Sequence, residues 1–366
     1  MDKQMQFMIE KDCDIHVIVP KDELYMPQLK VRDANVNFHD VSLKREISPF
    51  WDLISLFQII KLLFRIKADV IHLHTPKASF LGALAARVTF QKMIIYQMHG
   101  LVSTEGVHVK KNVIYYLEKV TCSLVDRVFA VSLSLKNYAI KNKYCKSSKI
   151  EVIGNGTING IDWQERFNPK EVINPSKYLT KTEIKDKFVI GFIGRLSEEK
   201  GVVDFIDVVA AVSKKYSILA VLVGPNEMGE KLNRILKSNE NLNDNNFKRI
   251  EEIHDPENIL SAFDVLLFPT KREGFGLSAA EANAMEVPVV AYDIPGIKDA
   301  VENGVSGKLV PYGDIKRLEK SIIEYIHNPE VRKTHGVNGR NRVVELYDRK
   351  ALWLKTFNRY QELVTG

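Results

Sequence analysis

The stretch Phe268 to Val290 reads FPTKREGFGLSAAEANAMEVPVV, and the order of its parts decides the fold. An apolar run ends at Pro269, a loop carries Glu273-Gly274-Phe275-Gly276, and a helical segment opens near Leu277. Strand, glycine loop and helix in that order form one unit of a parallel α/β sheet. Glycines at the junction admit a ligand to the backbone, and the helix N-terminus offers N–H groups and partial positive charge to a phosphate. Glu281, eight residues after Glu273, lies in the first turns of that helix and can reach back to the same ligand. A carboxylate so placed suits the paired hydroxyls of a ribose. The competing reading is a plain helix-start loop with Glu281 in solvent.

A second strand-to-loop junction precedes it. Gly191 to Gly201 reads GFIGRLSEEKG and sets Arg195 and Lys200 five residues apart beside glycines. Two cations at the carboxyl end of a strand are what a diphosphate leaving group requires, because its developing charge must be neutralised. Arg-x4-Lys alone is more often surface than site; its place in the same sheet as the Glu273 loop strengthens it.

The same alternation runs along the rest of the chain. Ile15–Val19, Val70–Leu73, Met93–Tyr96, Arg127–Val131 and Ile150–Ile153 read as strands separated by helical segments such as Ser79–Val88 and Val113–Leu124. The pattern halts at Gly154 to Pro169 and restarts at Phe188–Ile193, followed by Leu219–Val223, Val265–Phe268, Val287–Tyr292 and Gly307–Val310. A long amphipathic helix over Asp348–Val364 closes the chain. At about 150 residues per domain, 366 residues fit two doubly wound domains. The expected division is residues 1–165, residues 166–345, and a helix over 346–366 returning to the first domain.

Composition excludes disorder and fibre classes, with 45% hydrophobic and 27% charged residues. Cys13, Cys122 and Cys145 are odd in number and widely spaced, which argues against a disulfide framework or a zinc site and fits a reducing cytosol. No signal peptide is read at the start of the chain. The net charge of +6 hides an asymmetry: residues 61–150 hold fifteen Lys and Arg against four acids, an excess of eleven, which leaves −5 elsewhere. Such a segment expects an anionic partner. The apolar window Trp51–Ile66 contains Asp52, Lys61 and Arg65 and is too short to span a bilayer. It reads as a core-packing helix, or as one that also meets lipid headgroups.

Histidines mark the first half. His72 and His74 are expected on opposite faces of their strand, which would keep them from sharing a metal, and His99-Gly100 at the next strand end points to a sugar hydroxyl or phosphate. Asp12-Cys13-Asp14 matches a metal-binding DxD pattern but joins a helix to a strand, and Gly154-Asn155-Gly156 lacks the surroundings of a dinucleotide fingerprint. A nicotinamide dehydrogenase is therefore disfavoured. No aromatic-basic interleaving or recognisable module supports a nucleic-acid binder.

Taken together, the motifs resemble those of glycosyltransferase family 4, retaining enzymes of GT-B fold, and within it the bacterial capsule and O-antigen branch. Glu273 to Glu281 is similar to that family's E-x7-E motif, and Gly194-Arg195-Leu196 with Lys200-Gly201 to its donor loop. Lys44 to Pro49, His74-Thr75-Pro76-Lys77 and His99-Gly100-Leu101 resemble motifs of the first domain. The resemblance implies catalytic roles for Glu273 and His99, with Glu273 on the donor sugar. It implies donor contacts by Gly194, Arg195, Lys200, Gly274, Phe275, Gly276, Leu277, Ser278 and Glu281, and acceptor contacts near Arg45, His74 and Lys77. It further implies a UDP-sugar donor, a lipid-diphosphate-linked saccharide acceptor, no metal and no cofactor. The expected location is the cytoplasmic face of the membrane, by peripheral contact. A catalytically inactive nucleotide-sugar-binding or scaffold subunit is the alternative. Family members open on a strand and loop ahead of the first helix, whereas Met1 to Lys11 already resembles that helix, so the first strand is expected to be missing.

Overall fold

The computed structural model describes residues 2–21, 35–44, 46, 48–101, 113–171 and 174–366. Two α/β units follow one another along the chain. The first holds α1 (Asp2–Ile9), β1 (His16–Pro20), β2 (Asn37–Val41), α2 (Pro49–Ile66), β3 (Val70–His74), α3 (Pro76–Val88), β4 (Met93–Met98), α4 (Val113–Leu124), β5 (Arg127–Ala130), α5 (Leu133–Lys141) and β6 (Ile150–Glu151). Its strands form two parallel sheets, β1-β2 and β3-β4-β5-β6.

The second unit opens with a 3-10 turn at Pro175–Lys177 and α6 (Lys181–Ile184). It continues through β7 (Phe188–Ile193), α7 (Val202–Ser213), β8 (Ile218–Val223), α8 (Glu230–Lys237), β9 (Phe247–Ile250), α9 (Pro256–Leu260) and β10 (Val265–Phe268). It closes with α10 (Leu277–Ala284), β11 (Val289–Tyr292), α11 (Ile297–Ala300), β12 (Gly307–Val310), α12 (Ile315–His327) and α13 (Pro329–Leu346). All six strands lie parallel in one sheet, in the order β12-β11-β10-β7-β8-β9. The central strands are continuous apolar runs because helices cover both of their faces; every residue of β8 and β10 is buried.

The last helix, α14 (Arg349–Thr365), lies against the first unit. Asp348 caps it by accepting from Ala351 N at 2.8 Å, and the same carboxylate accepts from Trp163 Nε1 at 2.8 Å. Phe7 of α1 meets Trp353 with ring centroids 5.8 Å apart, Tyr360 O–H lies 2.5 Å from His72 Nδ1, and Arg359 pairs with Glu151 at 3.0 Å.

Ten strands coincide with apolar runs legible in the sequence. β2 and β9 do not, because NFHDV and FKRI interleave polar and charged residues and carry too little apolar pattern to read as strands.

Candidate active site at the strand ends

β7 and β10 are neighbours, paired at Val265 with Ile190 and Leu266 with Gly191. The chain leaves β7 toward β8 on one side and later fills the other side from β10, so the gap between their carboxyl ends is the switch point where open α/β sheets bind ligands. Both glycine loops open there. Gly201 caps α7 with φ 77°, and a Cβ on it would lie 1.9 Å from the Pro269 carbonyl oxygen. Only glycine allows that approach, which brings Lys200 against the other loop.

Lys200 Nζ forms an ion pair with Glu273 Oε1, and Thr270 Oγ1 donates to the same oxygen at 3.1 Å. The two side chains are 17% and 12% exposed, so water screens the pair weakly. Arg195 lies farther out, its guanidinium 2.9 Å from Glu227, with both side chains nearly half exposed. Exposed pairs of this kind hold little energy, which leaves the guanidinium free to exchange Glu227 for an incoming anion. Around the rim, Lys271 faces Asp204 at 3.3 Å and Arg272 faces Glu199 at 2.8 Å.

Gly276 (φ 85°) starts α10 without a side-chain cap. The N–H groups of Leu277 and Ser278 therefore lie outside the helix's own ladder and open toward the loop. Phe275 is buried edge-on against Tyr347, ring centroids 4.9 Å apart, and fixes the loop rather than facing a ligand. Glu281 has no hydrogen-bond donor among the described residues; burial pushes its carboxyl up to about 7, against the pull of the Arg166 guanidinium.

The first unit meets this loop directly. A Cβ on Gly274 would lie 1.7 Å from the His99 carbonyl oxygen, and Ser132 Oγ donates to the Gly274 carbonyl at 2.6 Å. Asp299 accepts from the N–H groups of Leu133 and Ser134 at 2.9 and 3.2 Å, so a carboxylate of the second unit caps α5 of the first. Ser134 Oγ in turn accepts from Gly296 N at 2.6 Å. His99 is thereby held beside Glu273-Gly274. Its Nε2 lies 3.0 Å from His74 Nδ1, one ring donating and the other accepting. Burial holds both imidazoles below their ordinary value, His74 down to about 4 with His99 as a second cause.

The expectation that His72 and His74 face opposite ways is wrong. Residues two apart on a strand share a face, and their ring centroids lie 4.5 Å apart. His72 is spent on Tyr360 and on Gln97 Oε1, 3.0 Å from its Nε2. No group of three or more metal-ligating side chains occurs among the described residues. Lys77 lies 2.5 Å from Asp52 and donates to the carbonyls of Lys44 and Glu46, so it ties the segment before α2 to α3. Arg45 lies outside the described residues.

Two acidic positions escaped the sequence reading. Asp299 gives no motif, since its role is set by a helix 165 residues away. Glu118 of α4 is buried, with both carboxylate oxygens unpartnered among the described residues; burial pushes it up to about 8, and the Arg272 guanidinium pulls it down. Its only sequence signal is an acid on the apolar face of α4 in VIYYLEKVTCSL.

Two facing doubly wound units with glycine loops at a switch point define a GT-B transferase. Comparison with known proteins agrees. The profile for Glycosyltransferase Family 4 matches residues 4–158, and that for Glycosyl transferases group 1 matches residues 177–342. The chain is 32% identical over 362 residues to the capsular polysaccharide biosynthesis glycosyltransferase CapM of Staphylococcus aureus, covering 98% of this chain and 92% of that one. It is 27% identical to the Escherichia coli UDP-Gal:alpha-D-GlcNAc-diphosphoundecaprenol alpha-1,3-galactosyltransferase, over 83% of this chain and 78% of the other. Anabaena HepE, solved with UDP and glucose, superimposes with a TM-score of 0.79 at 20% identity, over 99% and 96% of the two chains. The chain belongs to the family 4 glycosyltransferases.

Proposed function

We propose that the protein is a retaining enzyme that moves a sugar, with an N-acetylhexosamine the expected class, from a UDP-sugar to a polyprenyl-diphosphate-linked glycan in capsule or O-antigen assembly. The observation that carries this is the Lys200–Glu273 pair at the β7/β10 switch point, with α10 starting on Gly276 without a side-chain cap. Lys200, Arg195 and the N–H groups of Leu277 and Ser278 hold the diphosphate. Glu281 takes the ribose hydroxyls, and Glu273 takes the donor sugar's hydroxyls beside His99. The bond from the anomeric carbon to the diphosphate oxygen breaks with its electron pair on the diphosphate. The acceptor hydroxyl bonds to that carbon on the same face, and its proton passes to the leaving diphosphate. Neutralising that charge with Lys200, Arg195 and backbone N–H groups supplies by electrostatics what a metal would otherwise supply.

A lipid-linked acceptor is supported by the name of the Escherichia coli relative and by the excess of eleven cations over residues 61–150. No helix among the described residues is long and apolar enough to cross a membrane. Peripheral contact fits α2, whose outer face exposes Phe50, Leu53, Phe57 and Phe64 beside Lys61 and Arg65. On the far side of α3, α4 exposes Val113, Tyr116 and Val120. Apolar side chains flanked by cations are the pattern of an interfacial helix, and the cytoplasmic face of the membrane is the matching location.

The direct test offers the purified protein a polyprenyl-diphosphate saccharide with a panel of UDP-sugars. The expected result is acceptor-dependent UDP release and a product of unchanged anomeric configuration by NMR. UDP binding without transfer from any donor would assign an inactive binding subunit instead.

A further inference from the structure

Glu118 shares the buried face of α4 with Thr121 and Cys122 and is 1% exposed. Neither carboxylate oxygen has a hydrogen-bond partner among the described residues. A buried carboxyl left in this way is costly unless a donor or a cation reaches it. The groups beside it on its own unit bring no free charge. Burial pushes the Tyr96 hydroxyl of β4 up, and the Cys145 thiol together with burial pushes the Cys122 thiol of α4 up. The cations of α3, Lys77 and Arg87, are bound to Asp52 and Asp126. The cation that acts on Glu118 comes from the second unit, and it is Arg272.

Arg272 directly precedes Glu273 in the loop that the first unit receives. Ser132 holds the Gly274 carbonyl, and a Cβ on Gly100 would lie 3.6 Å from Gly274 N. Gly100 follows β4, the strand that carries Tyr96 beside Glu118. Arg272 Nη2 donates to Glu199 at 2.8 Å, with the two side chains 30% and 38% exposed. Water screens such a pair, so it holds Arg272 weakly. Glu199 precedes Lys200, and its carbonyl accepts from Lys271 N at 2.9 Å. The residue that keeps Arg272 outside therefore belongs to the donor loop. Arg272 stands between two carboxyl groups, Glu199 on that loop and Glu118 inside the first unit.

We propose that Glu118 is a positioning residue that takes Arg272 from Glu199 when the donor binds, and so fixes the Glu273 loop against His99. The inference rests on the donor reading of the β7/β10 switch point and deepens it. As Lys200 turns to the diphosphate, its neighbour Glu199 moves with it and the guanidinium passes inward. With Arg272 on Glu199, burial pushes the Glu118 carboxyl up to about 8, so it is mainly neutral at pH 7. An arriving guanidinium favours the ionised form. The carboxyl proton then leaves to solvent, and donor binding is linked to proton release.

UDP is titrated calorimetrically into the full chain at pH 7 in two buffers of different ionisation enthalpy, which counts the protons exchanged per UDP bound. The unaltered protein is expected to release at least half a proton more than Glu118→Gln, in which the side chain cannot ionise. Glu281 and the nucleotide titrate alike in both proteins and cancel. Arg272→Gln leaves Glu118 in place without its cation and is expected to show the same deficit; it carries the test should Glu118→Gln fold poorly. Each variant is expected to lower kcat at least tenfold with the donor KM within threefold, and the double variant to be no slower than the slower single one. Proton counts equal to the unaltered protein's in the folded variants, or multiplying losses of kcat in the double variant, would overturn the proposal. Absence of UDP binding to the unaltered protein would instead overturn the donor reading, and this inference with it.

Discussion

The ammonium of Lys200 is paired with the carboxylate of Glu273 across the gap between the ends of β7 and β10. In the proposed reaction the two side chains part: Lys200 turns to the diphosphate and Glu273 to the sugar. Glu273→Gln removes the charge that competes for Lys200 while keeping the shape of the side chain. UDP affinity is expected to stay level or rise up to about tenfold, while transfer falls about 100-fold or more, the scale of losing one transition-state contact. Steady-state kinetics beside calorimetry separates the two effects.

The Glu281 carboxyl, pushed up to about 7 by burial, accepts two hydroxyl hydrogens well only when ionised. UDP affinity is therefore expected to rise with pH through that value and to fall below it. Glu281→Gln is expected to weaken UDP at pH 8 and to lose this step, and the variant's remaining pH dependence reports the nucleotide's own titration. Parallel pH profiles in the two proteins would contradict the ribose assignment.

Asp299 tests how the units act together, because it accepts from two N–H groups at the start of α5. Hydrogen bonds to a charged group contribute about 1.5–3 kcal/mol each. Asp299→Ala is expected to leave UDP affinity, a property of the second unit, within threefold and to lower transfer at least tenfold. Calorimetry and a transfer assay on one preparation make the comparison.

Membrane contact through α2 predicts sedimentation of the protein with vesicles holding anionic lipid, weaker at 0.5 M salt because exposed charges are screened. Phe57→Asp with Phe64→Asp, both at exposed positions, is expected to reduce binding at least tenfold with Tm unchanged. Equal binding by the variant would move the contact elsewhere.

What could be read from the sequence follows from how local each feature is. β7, β8 and β10 are apolar runs buried on both faces, so composition alone betrays them. The Lys200 and Glu273 loops are legible because glycines and charges cluster at strand ends, where a ligand needs them. β9 was hidden by Lys248 and Arg249, whose side chains find Glu183 and Glu251 in three dimensions. Lys77, expected near the acceptor, is bound to Asp52 in the fold. The His72 and His74 error was one of strand period, and the correct period places both rings on one face. Asp299 acts through partners brought near only by the tertiary fold, and no local pattern announces it.

The central claim is that the β7/β10 switch point holds the donor's diphosphate. Calorimetric UDP affinity of the full chain and of its Lys200→Ala variant, at equal Tm, tests it most directly. The account predicts a loss of at least tenfold in the variant, deepened when Arg195→Ala is added. Equal affinity in all three proteins would contradict it and place the diphosphate elsewhere.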